Sequence, residues 1–180
     1  SRSLRIFAIE DALYLRNLAY VEFENFAVEN FGGVKVLGGA TPDHHMTFTD
    51  MRLSLATIGA VNVDPPAHDV LFERLHLKGG FPAWIYRSDI KNGYPTSAPA
   101  GSLHVGLMSI STDPNYALSQ RVRITGSTFE GSFFGIVVSK SLGTEIDNNT
   151  FQGITNDGIL LGSDVYDINI HHNRVFSWSG

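Results

Sequence analysis

Two decapeptides, VRITGSTFEG at residues 122–131 and TEIDNNTFQG at residues 144–153, share one pattern 22 residues apart. An apolar residue stands at the third position, Ile124 or Ile146, and a phenylalanine follows five residues later, Phe129 or Phe151. The residues between them are small or polar, which favours a bend between two short strands. The stretch therefore predicts a structural repeat made of short strands.

The repeat extends along most of the chain. The third-position residues of its first unit are Phe23, Phe48, Phe72, Ile124, Ile146 and Ile170. A second unit, a small residue followed by an apolar run, recurs as GVKV at 33, AVNV at 60, AWIY at 83, GLMS at 106, GIVV at 135 and GILL at 158. The first column advances by 22 to 25 residues except for one gap of 52. That gap predicts a degenerate copy near Ile90.

A period of 22 to 25 residues with three short strands per repeat predicts an all-β fold, a parallel β-helix solenoid of about six to seven coils. We expect one domain over residues 1–180, with inserted loops near 89–104 and 111–120. Residues 4–19 suit either a first coil, which we favour, or a capping helix. A leucine-rich repeat is the alternative architecture, but its leucine and asparagine spacing is absent.

The composition limits the function classes. The chain has 180 residues, no cysteine and a net charge of −5, which argues against disulfides, zinc–thiolate sites and a nucleic-acid-coating surface. Its apolar runs are too short to cross a bilayer, and no signal peptide is visible. Because patterned sequence begins at once and no closing element follows, we expect a fragment of a longer polypeptide.

The coils resemble the right-handed parallel β-helix family, with its xIxxNxFxG…GIxL pattern, over nearly the whole chain and most strongly over residues 122–175. This family includes pectate-lyase-like polysaccharide lyases, epimerases and phage tailspikes. The resemblance implies a carbohydrate-active protein that binds or cleaves an acidic polysaccharide, at the cell exterior, cell surface or virion surface. It also implies an asparagine ladder at Asn149 and Asn173.

Two other functions stay open. The first is a non-catalytic β-helix, such as a tailspike shaft or a surface adhesin, and the second is a metal-binding module. No nucleic-acid partner and no membrane span are expected, whereas a homotrimer or a continuation of the solenoid is plausible because exposed strand edges invite pairing.

Alternation along the strands predicts which residues face outward. Stacking then places Arg123 beside Glu145 and Asp147 beside His171, with Asn169 in the same patch. We predict the first four as catalytic residues, because a carboxylate next to a histidine suits acid–base chemistry, and Asn169 as a substrate-binding residue. The competing interpretation is a ladder of opposite charges that only offsets repulsion.

The adjacent histidines of DINIHHNRVF, residues 167–176, are predicted to face different ways. His171 is an outward strand residue, and His172 lies at a corner. Only His171 is therefore predicted to be functional.

A second cluster precedes the first-unit strands, where DHH at 43–45 aligns with AHD at 67–69. His44 would stack over His68, and His45 over Asp69. These four residues predict a metal site, and the alternative is that they are solvated turn residues.

Calcium is the one cofactor that the sequence suggests. Asp164 and Asp167 of GSDVYD would hold it, although a turn explains them equally well. Aromatic side chains in and near the insertions, Trp84, Tyr94 and Tyr116, are predicted to stack on sugar rings, with core packing as the alternative for Trp84.

Overall fold

A computed structural model describes the chain at residues 11–29, 33–37, 42–56, 61–64, 66–79, 90–91, 94–95, 106–110, 118–132, 134–154 and 156–176. All regular structure in these residues is β, so no described helix has the length and apolar character that a bilayer crossing requires. Strands are numbered in chain order.

The strands stack in parallel into three sheets, and each coil contributes to all three in turn. The first sheet contains β1 (Asp11–Arg16), β4 (Gly33–Leu37), β7 (Val61–Asp64), β12 (Gly106–Ile110), β15 (Phe134–Val138) and β19 (Ile159–Leu161). The second contains β2 (Ala19–Glu24), β5 (Asp43–Thr49), β8 (Ala67–Glu73), β13 (Ser119–Thr125), β16 (Ser141–Leu142), β17 (Glu145–Asp147), β20 (Val165–Tyr166) and β21 (Asn169–His171). The third contains β3 (Ala27–Glu29), β6 (Arg52–Ala56), β9 (His76–Gly79), β14 (Thr128–Ser132), β18 (Thr150–Ile154) and β22 (Arg174–Phe176). The predicted all-β parallel solenoid is thus confirmed, and Asp11–Arg16 is a strand that pairs with β4.

Like residues stack on like residues inside the solenoid. The rings of Phe48 and Phe72 lie 4.9 Å apart, and so do those of Phe129 and Phe151. All four side chains are fully buried. This spacing matches the separation of neighbouring strands, so each coil buries its apolar residues against the next one.

The degenerate coil predicted near Ile90 is wrong. Strand β8 pairs directly with β13, with Phe72 opposite Ile124, so no described rung lies between them. Ile90 belongs instead to a separate antiparallel hairpin of β10 (Ile90–Lys91) and β11 (Tyr94–Pro95). The gap of 52 residues between Phe72 and Ile124 therefore reflects an insertion of roughly one coil length and not a missing repeat. The AWIY copy at 83–86 lies outside the described residues.

Two columns of left-handed backbone run through the stack. The first runs along the second sheet, three residues before each apolar ladder residue, at Tyr20, His45, Asp69, Arg121, Gly143 and Asp167. The second forms the bend between the second and third sheets at Asn25, Asp50, Arg74, Gly126, Asn148 and His172. A positive φ turns the side chain away from both faces of the strand. The side chains of each column therefore form a row that is separate from the inward-facing and outward-facing rows.

An asparagine ladder joins the coils at the same bend. Asn149 accepts a hydrogen bond from the Ser127 N–H at 2.9 Å and donates one to the Ile124 carbonyl at 2.9 Å. Asn173 repeats this arrangement one coil later on Asn149 and Ile146. The ladder implied by the resemblance is therefore present.

Serine extends the asparagine ladder by one more step. The Ser127 hydroxyl accepts the Leu75 N–H at 3.0 Å. A shorter side chain thus makes one of the two bonds that asparagine makes.

Apolar ladder residues are exposed on the last described rung. Ile170 and Val175 are 40% and 63% exposed, whereas Ile146 and Phe151, the corresponding residues one coil earlier, are fully buried. Burial in this fold therefore depends on having a coil on both sides.

Candidate functional site

A row of polar side chains crosses three rungs of the second sheet. The pairing places Arg123 opposite Glu145 and Asp147 opposite His171, as predicted. Glu145 lies at the centre of the row. One carboxylate oxygen lies 3.3 Å from Arg123 Nε and the other 3.2 Å from His171 Nε2. About a third of the Glu145 and His171 side chains is exposed, so a ligand can reach both.

Asp147 lies beneath this row rather than on its surface. Arg123 donates two hydrogen bonds of 3.2 Å to its carboxylate, and Thr125 and Asn148 donate one each. Its side chain is only 2% exposed. Burial alone would raise the pKa of Asp147, but the hydrogen bonds from Arg123, Thr125 and Asn148 outweigh it and leave the pKa below its ordinary value. Asp147 is thus an ionised group that holds Arg123 in place.

The two histidines at 171 and 172 contact each other, which corrects the expectation that they face different ways. Their Nδ1 atoms lie 2.7 Å apart, so one ring donates a proton and the other accepts it. The left-handed backbone of His172 turns its ring back toward His171. The pair therefore acts as one hydrogen-bonded unit that ends on Glu145.

An open cleft of about 500 Å³ adjoins this pair at the bend of the last two rungs. Its lining consists of Asn148, Asn149, Thr150, His172, Asn173 and Arg174. The lining is polar, and Arg174 is exposed. Asn169, predicted to bind substrate, is exposed and pairs with Glu145 on the neighbouring rung.

A second polar cluster lies on the rungs β2, β5, β8 and β13. The rings of His44 and His68 stack 4.9 Å apart and nearly parallel, as predicted. One ligand atom from each of His45, His68 and Asp69 lies within 4.8 Å of the others. His44 is not part of this group, but its Nδ1 lies 2.8 Å from the Nδ1 of His45.

Arg121 completes this cluster and was missed from the sequence. It donates hydrogen bonds of 2.6 and 2.7 Å to the two oxygens of Asp69. These bonds, together with one from His68, hold the pKa of Asp69 far below its usual range. Tyr20, also missed, stacks on the His45 ring at 4.8 Å. The signal was available: Tyr20, His45, Asp69 and Arg121 each precede an apolar ladder residue by three positions.

The remaining candidates lie elsewhere in the fold or outside the described residues. Tyr94 lies in β11, in the separate hairpin, while Trp84 and Tyr116 lie outside the described residues. Asp164 forms an ion pair of 3.2 Å with Lys140. Within the described part of the chain, Asp164 and Asp167 belong to no group of three ligands suited to a metal.

Comparison with known proteins found no matching family model, no matching curated protein and no matching solved structure.

Proposed function

We propose that this protein binds an acidic polysaccharide along the row of Arg123, Glu145 and His171, and cleaves it by proton transfer. The observation that carries the proposal is the 3.2 Å contact between His171 Nε2 and Glu145, both about one third exposed, beside Arg123. A paired acid and base beside a cation is what elimination or hydrolysis at a uronic acid needs. The resemblance to pectate-lyase-like β-helices supports the same class of substrate.

Each side chain has a role in a lyase reaction. Arg123, about half exposed, attracts the carboxylate of the sugar and so makes the neighbouring C–H bond more acidic. Glu145 accepts that proton. The electron pair forms the new C=C bond, the glycosidic C–O bond breaks, and protonated His171 donates a proton to the departing oxygen. Asp147 orients Arg123, and Asn169 with Arg174 extends the binding surface.

The test is a screen of the purified protein against uronic-acid polysaccharides, following the absorbance of the unsaturated product. We expect H171Q and E145Q to lose activity by at least about 100-fold. E24Q is the matched control, because Glu24 is the column counterpart of His171 on the distant strand β2. Full activity of both H171Q and E145Q would refute the assignment.

A non-catalytic role is the second candidate, favoured by one observation. Arg123 and Asp147 already satisfy each other, as stacked charges do in a purely structural ladder. A tailspike shaft or adhesin at a cell or virion surface would use such a row for binding alone. Retention on an immobilised acidic polysaccharide without any product would support this role over cleavage.

A further inference from the structure

We propose that His45, His68 and Asp69 bind one divalent transition-metal ion of the zinc class, at a site separate from the row of Arg123, Glu145 and His171. Within the described part of the chain, this is the one group of three such residues whose ligand atoms lie within 4.8 Å of one another. The proposal does not depend on the proposed function, because it concerns other side chains and other rungs.

The dimensions suit a single ion. Zinc–nitrogen bonds of about 2.1 Å in a tetrahedron place ligand atoms about 3.4 Å apart. Side-chain rotation therefore has to close a gap of no more than about 1.4 Å. His45 is exposed, and His68 and Asp69 are about 30% exposed, which leaves room for a water ligand in the fourth position.

The donor set selects the kind of metal. Two imidazoles and one carboxylate suit zinc, copper or nickel, whereas calcium and magnesium prefer an all-oxygen shell. The expected ligand is therefore a borderline transition-metal ion rather than calcium.

The surrounding residues hold the ligands in place before any ion arrives. His68 stacks on His44, His45 stacks on Tyr20, and the Nδ1 atoms of His44 and His45 share a proton at 2.8 Å. These contacts restrict ring rotation, as partners of metal-bound histidines commonly do. His44 is thus a positioning residue.

Arg121 competes with the metal for the carboxylate of Asp69, so the proposal predicts the direction in which removal of Arg121 changes metal affinity. Its guanidinium occupies both oxygens of Asp69 at 2.6 and 2.7 Å. An ion that takes one oxygen must displace part of that bidentate contact. Removal of the guanidinium should therefore tighten metal binding, whereas loss of a merely structural ion pair should not.

The experiment is calorimetric titration of the metal-stripped protein with ZnCl2 near neutral pH. We expect one equivalent of zinc to bind. H45N and H68Q should each weaken binding by at least about tenfold, and R121Q should tighten it. Asparagine is chosen at position 45 because it tolerates the left-handed backbone there.

His172 supplies the matched control. It also has a positive φ and an Nδ1 contact with the preceding histidine, but it belongs to no ligand group among the described residues. H172N should therefore bind zinc like the parent protein. The proposal fails if zinc binds more weakly than about 1 mM, if H172N loses as much affinity as H45N, or if R121Q weakens binding.

Cobalt provides a readout that needs no variant. Co2+ in a four-coordinate site of the parent protein should give strong visible absorption, which excess zinc abolishes and excess calcium leaves unchanged. A spectrum no stronger than that of hydrated Co2+ would overturn the proposed geometry even if a histidine variant failed to fold.

Discussion

Replacement of Asn149 by alanine tests whether the asparagine ladder stabilises the solenoid. Asn149 is 1% exposed and makes two hydrogen bonds of 2.9 Å, from the Ser127 N–H and to the Ile124 carbonyl. N149A leaves the Ser127 N–H buried without a partner and removes one hydrogen bond from the Ile124 carbonyl, which still faces the neighbouring strand β17. An unpaired buried N–H costs about 1–3 kcal/mol and the loss of one hydrogen bond about 0.5–1.5 kcal/mol, so the free energy of unfolding should fall by about 1.5–4.5 kcal/mol.

Serine at the same position should recover part of this loss. Ser127 shows that a hydroxyl at the bend accepts the N–H of the preceding coil at 3.0 Å. N149S should therefore keep the bond from Ser127 and lose only the one to Ile124, with about a third of the effect of N149A.

Urea unfolding followed by circular dichroism measures both changes, with an unchanged m value as the check that the same surface unfolds. N156A is the matched control, because Asn156 is exposed and its loss should change the free energy of unfolding by no more than about 0.5 kcal/mol. The reasoning is refuted if N149A costs less than about 1 kcal/mol, or if N149S is no more stable than N149A.

Three further predictions concern packing and pH. F151A should lower the free energy of unfolding by about 3–5 kcal/mol, because it opens a cavity beside Phe129; thermal unfolding would show it, and a loss below about 1 kcal/mol would contradict the packing. G135A should destabilise more than G158A in parallel urea titrations, because a Cβ at Gly135 would lie 2.4 Å from the Gly158 oxygen whereas one at Gly158 meets nothing closer than 3.4 Å; equal effects would contradict the geometry. Since the pKa of Asp147 is lower in the folded chain than in the unfolded one, its stabilisation is present above the unfolded pKa of about 3.9 and is lost as the pH falls through the folded pKa. D147N should therefore reduce the decline in stability measured by urea unfolding between about pH 5 and pH 2, and an undiminished slope would argue against it.

The sequence predicts the sheet register well because two constraints act together. Alternation fixes which face each residue occupies, and the apolar ladder fixes its partner on the next coil. Arg123 therefore falls opposite Glu145, Asp147 opposite His171 and His44 opposite His68, as expected. Only the coil near Ile90 failed, since counting residues cannot tell an insertion from a degenerate repeat.

Side-chain environments were harder to predict than register. Asp147 faces away from the core, yet the long side chain of Arg123 and the neighbouring Thr125 and Asn148 cover it. The contact between His171 and His172 depends on a positive φ, which alternation alone does not reveal. Both features depend on side-chain length and backbone dihedral angle, which the alternation of apolar and polar residues does not encode.

The left-handed columns restrict which residues a protein engineer can place on this surface. Gly, Asn, Asp and His adopt a positive φ at lower cost than β-branched residues do. The positions three residues before each apolar ladder residue, which are spaced by one coil, therefore disfavour β-branched residues, although Tyr20 and Arg121 occur there. A library confined to those four residues at positions 20, 45, 69, 121, 143 and 167 would vary the surface chemistry while leaving the core sequence unchanged.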